Sequence, residues 1–289
     1  MISDMKNRKG PLCMLAASLC WSIGGLLMKY VPWDPMSINA LRSLFAALVF
    51  IIYRKNVKVK LTRGNILAAL CLTTTTTLFT FANKLTTAAA AILLQYTSPI
   101  FIILIQLVFY GKKPRISEAV AVVTTILGML LFFAGNLESG DMLGNILGIA
   151  SGLTLAGVFV CNKRQDVVPQ QSLFIGFLIS VAVGAPFVLS GGVTSEPIAW
   201  GSVLILGSVQ VGLAYVFFSI GIKTTPALMA CLITAMEPVL NPVWVALATG
   251  EIPGPHAIAG GGIIILSVVS YNVWMEKKNN ATIRPNAGD

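Results

Sequence analysis

Long, mainly apolar stretches recur along the whole chain, separated by short segments that are richer in charged residues, Gly and Pro. A bilayer core about 30 Å thick requires roughly 20 apolar residues in one helix. Ten stretches approach this length, at residues 11–31, 36–53, 64–83, 87–110, 116–135, 143–161, 171–190, 197–221, 225–249 and 256–275. They lack the two-residue alternation of barrel strands. The pattern therefore predicts an all-α integral membrane protein with ten transmembrane helices, which satisfy their backbone groups internally.

The composition agrees with this prediction. Hydrophobic residues make up 56% of the 289 residues and charged residues only 11%, whereas about 25% is usual for a soluble protein. The first stretch follows several basic residues, as a secretory signal would, but it is longer than the 7–15 residues of a signal core. We interpret it as a retained first span.

The distribution of basic residues predicts the topology, because Lys and Arg collect in short cytoplasmic loops. If the N-terminus is cytoplasmic, all but three of the twenty Lys and Arg residues fall on the cytoplasmic side. The three exceptions are Lys29, Arg42 and Lys84. We therefore expect both termini in the cytoplasm and a location in the plasma or inner membrane. Topology and anionic lipid account for the net charge of +9, so no nucleic-acid partner is required.

An internal repeat appears when the sequence is shifted so that Lys84 falls on Lys223. The segments "KLTTAAAAILLQYTSPI" and "KTTPALMACLITAMEPV" then align without gaps, and Pro99 falls on Pro238. Each half contains five spans, and an odd number makes the second half insert in the opposite orientation. Inverted repeats are typical of secondary transporters, whose substrate site lies near the midplane between the halves.

These observations predict the domain organisation. The first five-helix repeat covers residues 1–140, the second covers residues 141–275, and residues 276–289 form a cytoplasmic tail. Within the second repeat, "GNILGIASG" places glycines four residues apart, which permits close helix packing.

The sequence resembles the EamA-type ten-helix members of the drug/metabolite transporter superfamily. The resemblance rests on "LAASLCWSIGGLLMKYVPWDPMSINALRSLFAALV", on the two aligned segments of the repeat, and on "LATGEIPGPHAIAGGGIIILSVV" with its Gly-Glu motif. The first half departs from the family pattern, because Lys112 in "FYGKKPRIS" stands where Glu is usual. The resemblance implies a helical bundle around a central cavity and the export or exchange of a small metabolite by alternating access. It implies no particular substrate.

Glu237 is the main candidate for a functional residue. It lies well inside the ninth span, where an exposed carboxylate costs roughly 2.5–3.5 kcal/mol, so it must face protein or water. Thr234 and Asn241 lie three residues before and four residues after it, on the same helix face. Two hypotheses stand beside each other: a binding site for a proton or cationic substrate, and a structural hydrogen bond or ion pair.

The repeat extends this candidate site to the fourth span. Thr234 aligns with Gln95, and Glu237 aligns with Ser98, so the equivalent face is polar too. Pro99 and Pro238 remove backbone donors, and the freed carbonyls could bind a cation or water, or the prolines could form ordinary packing kinks.

Other spans contribute further candidates. Trp21 and Tyr215 could stack on a substrate or pack within the bundle. Arg42 could extend to the membrane surface, pair with Glu237, or hold a substrate carboxylate. The run Thr73 to Thr77 could form a polar track, or its hydroxyls could bond their own helix carbonyls.

Several other classes of protein are disfavoured. The single histidine, His256, and the absence of HExxH and P-loop motifs argue against an intramembrane enzyme, a metal site, a cofactor and an ATP-driven pump. The five cysteines fall in predicted spans without C-x-x-C spacing and are interpreted as packing residues. The sequence thus predicts a secondary transporter for an amino acid, amine or related metabolite, with protons as candidate coupling partners. The alternative is a channel or passive facilitator, and the sequence does not decide between a monomer and a homodimer.

Overall fold

The computed structural model describes residues 2–28, 30–55, 59–134, 141–249 and 254–283, and these residues form helices and connecting turns. In the first half the helices are α1 (Ile2–Ser22), α2 (Gly24–Met28), α3 (Pro35–Arg54), α4 (Arg63–Leu85), α5 (Ala88–Gln95), α6 (Ser98–Tyr110) and α7 (Ile116–Phe133). In the second half they are α8 (Met142–Cys161), α9 (Pro169–Leu189), α10 (Pro197–Ile205), a π-helical segment (Leu206–Leu213), α11 (Ala214–Thr224), α12 (Ala227–Thr234), α13 (Met236–Thr249) and α14 (Pro255–Ile283).

The predicted fold class is confirmed: the protein is an all-helical membrane protein built from two inverted five-helix repeats. Eight helical stretches among the described residues are long and apolar enough to cross a membrane. The remaining two of the ten spans are formed by α1 with α2 and by α12 with α13. The mean hydropathy of α1 is lower because the helix starts at Ile2 and includes the polar N-terminal residues.

Contacts between the helices follow the same repeat. The pairing of α1 with α11 corresponds to the pairing of α8 with α4, and α3 pairs with α9 as α7 pairs with α14. If each helix is replaced by its equivalent in the other half, the same pairs of helices are in contact. The functional consequence is that each half supplies equivalent helices to the centre of the bundle.

Local sequence signals explain where several helices begin. Asp34 accepts a hydrogen bond from the backbone N–H of Met36 at 2.8 Å and so caps α3. Thr62, Thr87 and Asp141 cap α4, α5 and α8 in the same way, each through its side-chain oxygen. Such caps satisfy amide groups that have no partner in the first turn of a helix.

The glycine pattern in α8 confirms the predicted close packing. A Cβ atom on Gly144 would lie 2.8 Å from the carbonyl carbon of Leu85, and one on Gly148 would lie 3.0 Å from Cβ of Leu94. At Gly152 it would lie 2.9 Å from the carbonyl oxygen of Gln95. The backbone of α8 can therefore approach α5 directly.

Candidate functional site

The fourth and ninth spans are both interrupted next to the aligned prolines. In the fourth span α5 ends at Gln95 and α6 begins at Ser98, just before Pro99. In the ninth span α12 ends at Thr234 and α13 begins at Met236. The sequence predicted that Pro99 and Pro238 would free backbone carbonyls, and both spans are broken there because proline lacks the N–H that would bond the carbonyl four residues earlier.

The carbonyl of Thr234 lacks a helical hydrogen bond because Pro238 has no N–H to donate to it. Side chains from other spans bond to this carbonyl. The hydroxyl of Tyr96 donates to this oxygen at 2.9 Å, and the hydroxyl of Ser18 lies 3.4 Å from it. Spans one, four and nine therefore meet at this break.

Glu237 lies in the first turn of α13 beside the same tyrosine. Its Oε2 atom is 2.9 Å from the hydroxyl oxygen of Tyr96. A phenol has one hydrogen, so Tyr96 donates either to Glu237 or to the carbonyl of Thr234. An ionised Glu237 accepts the hydrogen, whereas a protonated Glu237 can donate to Tyr96 and leave the tyrosine hydrogen for Thr234. The arrangement accommodates both charge states of the carboxyl group without moving a helix.

A cavity of about 100 Å³ adjoins this cluster and is lined by both halves of the protein. Six of the eight predicted site residues line it: Trp21, Arg42, Gln95, Tyr215, Thr234 and Glu237. Further lining residues are Asn39, Ser43, Leu72, Thr75, Thr76, Phe79, Tyr96, Leu155, Phe159, Phe177, Ser180, Gln210 and Val211.

The other two predicted residues, Ser98 and Asn241, are not among the described residues that line the cavity. Ser98 is fully buried, and its Oγ atom lies 3.3 Å from Sγ of Cys231. It follows the break in the fourth span and packs against α12, so the repeat alignment with Glu237 does not place it in the cavity lining. The side chain of Asn241 lies outside the described part of the chain.

Arg42 supplies a cationic group to the cavity. Its Nε and Nη2 atoms donate to Oδ1 of Asn39 at 3.2 and 3.0 Å, and Nδ2 of Asn39 is 3.5 Å from Oγ1 of Thr76. Among the residues that the structure describes, Arg42 forms no ion pair with Glu237. The carboxyl and guanidinium groups thus border one cavity, and each is held by neutral hydrogen-bonding partners.

Aromatic rings form one wall of the cavity. The Trp21 and Tyr215 rings meet edge to face with centroids 5.1 Å apart, and Phe177 lies 5.7 Å from Tyr215 in a similar arrangement. These rings pack against one another, as the packing interpretation requires, and still line the cavity.

Gln210 lies in the π-helical segment of the eighth span, which was predicted as regular helix. Such segments often occur at functional sites. Its Nε2 atom is 3.5 Å from the carbonyl oxygen of Trp21. Its Oε1 atom is buried and has no hydrogen-bond partner within the described structure. Gln210 also lines the cavity.

Two hydroxyls of the threonine run bond to carbonyl groups of their own helix, as one of the two interpretations predicted. Thr75 donates to the carbonyl of Cys71 at 2.7 Å, and Thr76 donates to the carbonyl of Thr73 at 3.0 Å. Both threonines also line the cavity, so part of the run contributes polar surface to it.

Sequence reasoning did not identify Tyr96, Asn39 or Ser180 as part of the site. For Tyr96 the sequence held a signal. A carboxyl group within a span requires a hydrogen-bonding partner, and Tyr96 lies at the break in the fourth span, which aligns with the span that contains Glu237. Asn39 and Ser180 carry no comparable signal.

Replacing Tyr96 with Phe is expected to destabilise the protein by about 1–3 kcal/mol, because it removes the hydroxyl that bonds to Glu237 or to the carbonyl of Thr234. Thermal unfolding of the purified protein measures this change. Tyr110→Phe is the matched control, since Tyr110 is 55% exposed. Equal unfolding temperatures for the two variants would contradict the assigned hydrogen bonds.

Two inverted five-helix repeats around a cavity that both halves line are typical of membrane transporters. The EamA-like transporter family matches residues 8–134 and 142–273, one match in each half. The chain belongs to this family.

Two relatives named as transporters and one solved structure are similar to this chain. The chain is 24% identical over 290 residues to the uncharacterized transporter YwfM of Bacillus subtilis (strain 168), a match that covers 96% of this chain and 98% of the relative. It is 26% identical over 189 residues to the pseudopaline exporter CntI of Pseudomonas aeruginosa, covering 64% of this chain and 66% of the exporter. A crystal structure with 19% sequence identity superposes with a TM-score of 0.80 and covers 93% of this chain and 98% of the other. That likeness establishes the fold.

Proposed function

We propose that the protein is a secondary active transporter that moves a small metabolite by alternating access, driven by proton coupling or by exchange. The observation that supports this proposal is the cluster of Glu237, Tyr96 and the Thr234 carbonyl beside a cavity shared by the two repeats. This cluster provides a carboxyl group with a hydrogen-bonding partner for both of its charge states. A coupling site requires both states to be accessible during the cycle.

The proposed substrate class is an amino acid or a related amine. Glu237 suits an ammonium group, and Arg42 suits a carboxylate through charge-assisted hydrogen bonds. Gln95 and Gln210 add amide groups to the same cavity. The name of one relative, a pseudopaline exporter, favours export as the direction of transport.

The cavity must widen during the proposed cycle. Its volume of about 100 Å³ is below the roughly 300–1,000 Å³ of typical small-molecule sites. Rocking of one repeat against the other would enlarge it and would expose it to one side of the membrane at a time. In this proposal the repeats cover residues 1–140 and 141–275, the termini are cytoplasmic, and the protein lies in the plasma or inner membrane.

A ligand-dependent thermal-shift screen tests this function. Purified protein is heated with amino acids, amines, sugars and phosphorylated metabolites. A ligand at 100 times its dissociation constant adds about 2.7 kcal/mol to the apparent stability. Stabilisation by amino acids or amines supports the proposal. Stabilisation by sugars or phosphorylated metabolites alone would contradict the substrate class.

Arg42→Gln is expected to weaken the binding of carboxylate-bearing ligands found in the screen by about tenfold or more. Losing one partner of a buried charged pair costs about 2–5 kcal/mol. Each tenfold change in affinity corresponds to about 1.4 kcal/mol. Amines that lack the carboxylate should bind as they do to the wild type. The measurement is the ligand concentration that gives half-maximal stabilisation. Lys84→Gln serves as control, because Lys84 is exposed and lies outside the cavity. Equal losses for amines and amino acids would argue against a carboxylate contact.

A further inference from the structure

The two repeats differ in how closely their corresponding helices pack. In one half α8 lies directly against α5, because glycines occupy the contact. The corresponding contact in the other half is between α1 and α12. There α1 carries Pro11, Leu12 and Leu15 along its surface, and a groove of about 630 Å³ remains between α1, α12 and α14. The groove therefore lies where α1 passes α12 and α14 in this half.

The walls of this groove suit a hydrocarbon chain. Met229, Met236 and Met275 line it together with apolar residues of α14. Methionine side chains are flexible and adapt to irregular apolar ligands. Val269 and Val273, which also line the groove, are 51% and 45% exposed, so the groove opens on the outer surface of the bundle, where the bilayer lies.

Two polar atoms in the groove require a partner. Oγ1 of Thr225 and Oδ1 of Asn272 are buried, and neither has a hydrogen-bond partner among the described residues. Nδ2 of Asn272 already donates to the carbonyl of Val268 at 2.7 Å. In the first repeat Thr86, which aligns with Thr225, bonds to Oδ1 of Asn145 at 2.9 Å. Buried polar atoms are normally paired, so a hydroxyl-bearing ligand would satisfy both orphaned groups.

Basic residues flank the groove in the sequence. Lys223 immediately precedes the lining residues Thr224 and Thr225, and Lys9 lies two residues before Pro11. Both lysines are exposed. Basic residues at a membrane surface attract anionic lipid, each contributing about 1 kcal/mol near the surface.

We propose that this groove binds one anionic phospholipid, with an acyl chain along the methionines and a headgroup hydroxyl at Asn272 and Thr225. Lys9 and Lys223 would hold the phosphate. A hydroxyl can both donate and accept, which suits the acceptor Oδ1 of Asn272 and the hydroxyl of Thr225. The site is separate from the transport cavity, and the proposal does not depend on the transported substrate.

Native mass spectrometry of the full chain, titrated with dioleoyl phosphatidylglycerol or dioleoyl phosphatidylcholine, tests the proposal. One phosphatidylglycerol should bind about tenfold more tightly than phosphatidylcholine. Val269→Trp, which places a large ring in the groove, should weaken phosphatidylglycerol binding about tenfold. Leu130→Trp is the matched control, since Leu130 aligns with Val269, is 43% exposed and lies outside the groove. Lys223→Gln should remove most of the preference for the anionic lipid.

Three results would overturn this assignment. The first is that Val269→Trp binds phosphatidylglycerol as tightly as the wild type does. The second is that the wild type binds the two lipids with equal affinity. The third is that the wild type has a dimeric mass and Val269→Trp has a monomeric mass. The last would make the groove an interface between copies of the chain. Thr225→Val preserves the side-chain shape and removes the hydroxyl, so it provides the same comparison if the tryptophan variant does not fold. It should also weaken phosphatidylglycerol binding, and unchanged binding would count against the site.

Discussion

Replacing Glu237 with Gln is expected to reduce transport driven by a proton gradient about tenfold or more and to remove its pH dependence. Glutamine has nearly the same shape and can still accept the Tyr96 hydrogen bond, but it cannot gain or lose a proton. The effect should therefore fall on coupling rather than on folding. The measurement is uptake by proteoliposomes at several pH values, using a substrate identified by ligand stabilisation.

Glu196→Gln provides the control for this experiment. Glu196 is exposed and lies at the start of α10, and its side chain forms no capping hydrogen bond. This variant should transport as the wild type does. If Glu237→Gln retains the wild-type rate and pH profile, Glu237 is a structural partner of Tyr96 and has no coupling role.

The second large effect is expected at Gly260, where α14 crosses α7. A Cβ atom on Gly260 would contact the backbone N of Phe132, and it would lie 2.5 Å from the carbonyl oxygen of Gly128. Backbone atoms cannot rotate away as a flexible side chain can. Gly260→Ala should therefore force the two helices apart and destabilise the protein by about 1–3 kcal/mol, the usual cost of overpacking.

The same helix contains a matched control two residues later. Among the described residues, a Cβ atom on Gly262 would meet no atom within 4 Å, so Gly262→Ala adds a methyl group in open space. Alanine also restricts the unfolded chain, so this variant should be neutral or more stable by up to about 1 kcal/mol. Thermal unfolding of both variants in one detergent measures the difference. Equal stability would show that the crossing of α7 and α14 is looser than described.

The parts of the fold that depend on local sequence were predictable. Runs of apolar residues identify the spans because the bilayer sets their length, and the alignment of Pro99 with Pro238 identifies the repeat. The same prolines interrupt their helices, as the loss of their backbone donors predicts. Glu237 stood out because an acidic residue within a span is costly and must face protein or water.

Other parts of the site depend on tertiary packing. The partner of Glu237 is Tyr96, which lies on another span and comes within reach only when the fourth span packs beside the ninth. The placement of Ser98 depends on packing for the same reason, because its position after the break turns it toward Cys231. The π-helical turn at Gln210 has no sequence signature that distinguishes it from regular helix.

Counterflow in proteoliposomes tests the central claim most directly. Vesicles are loaded with an unlabelled substrate, diluted into medium that contains a trace of the labelled substrate, and sampled with time. A carrier that works by alternating access should accumulate label transiently above equilibrium, with saturation as the internal substrate is raised. Simple equilibration of label, without overshoot or saturation, would contradict the account and would identify the protein as a channel or passive pore.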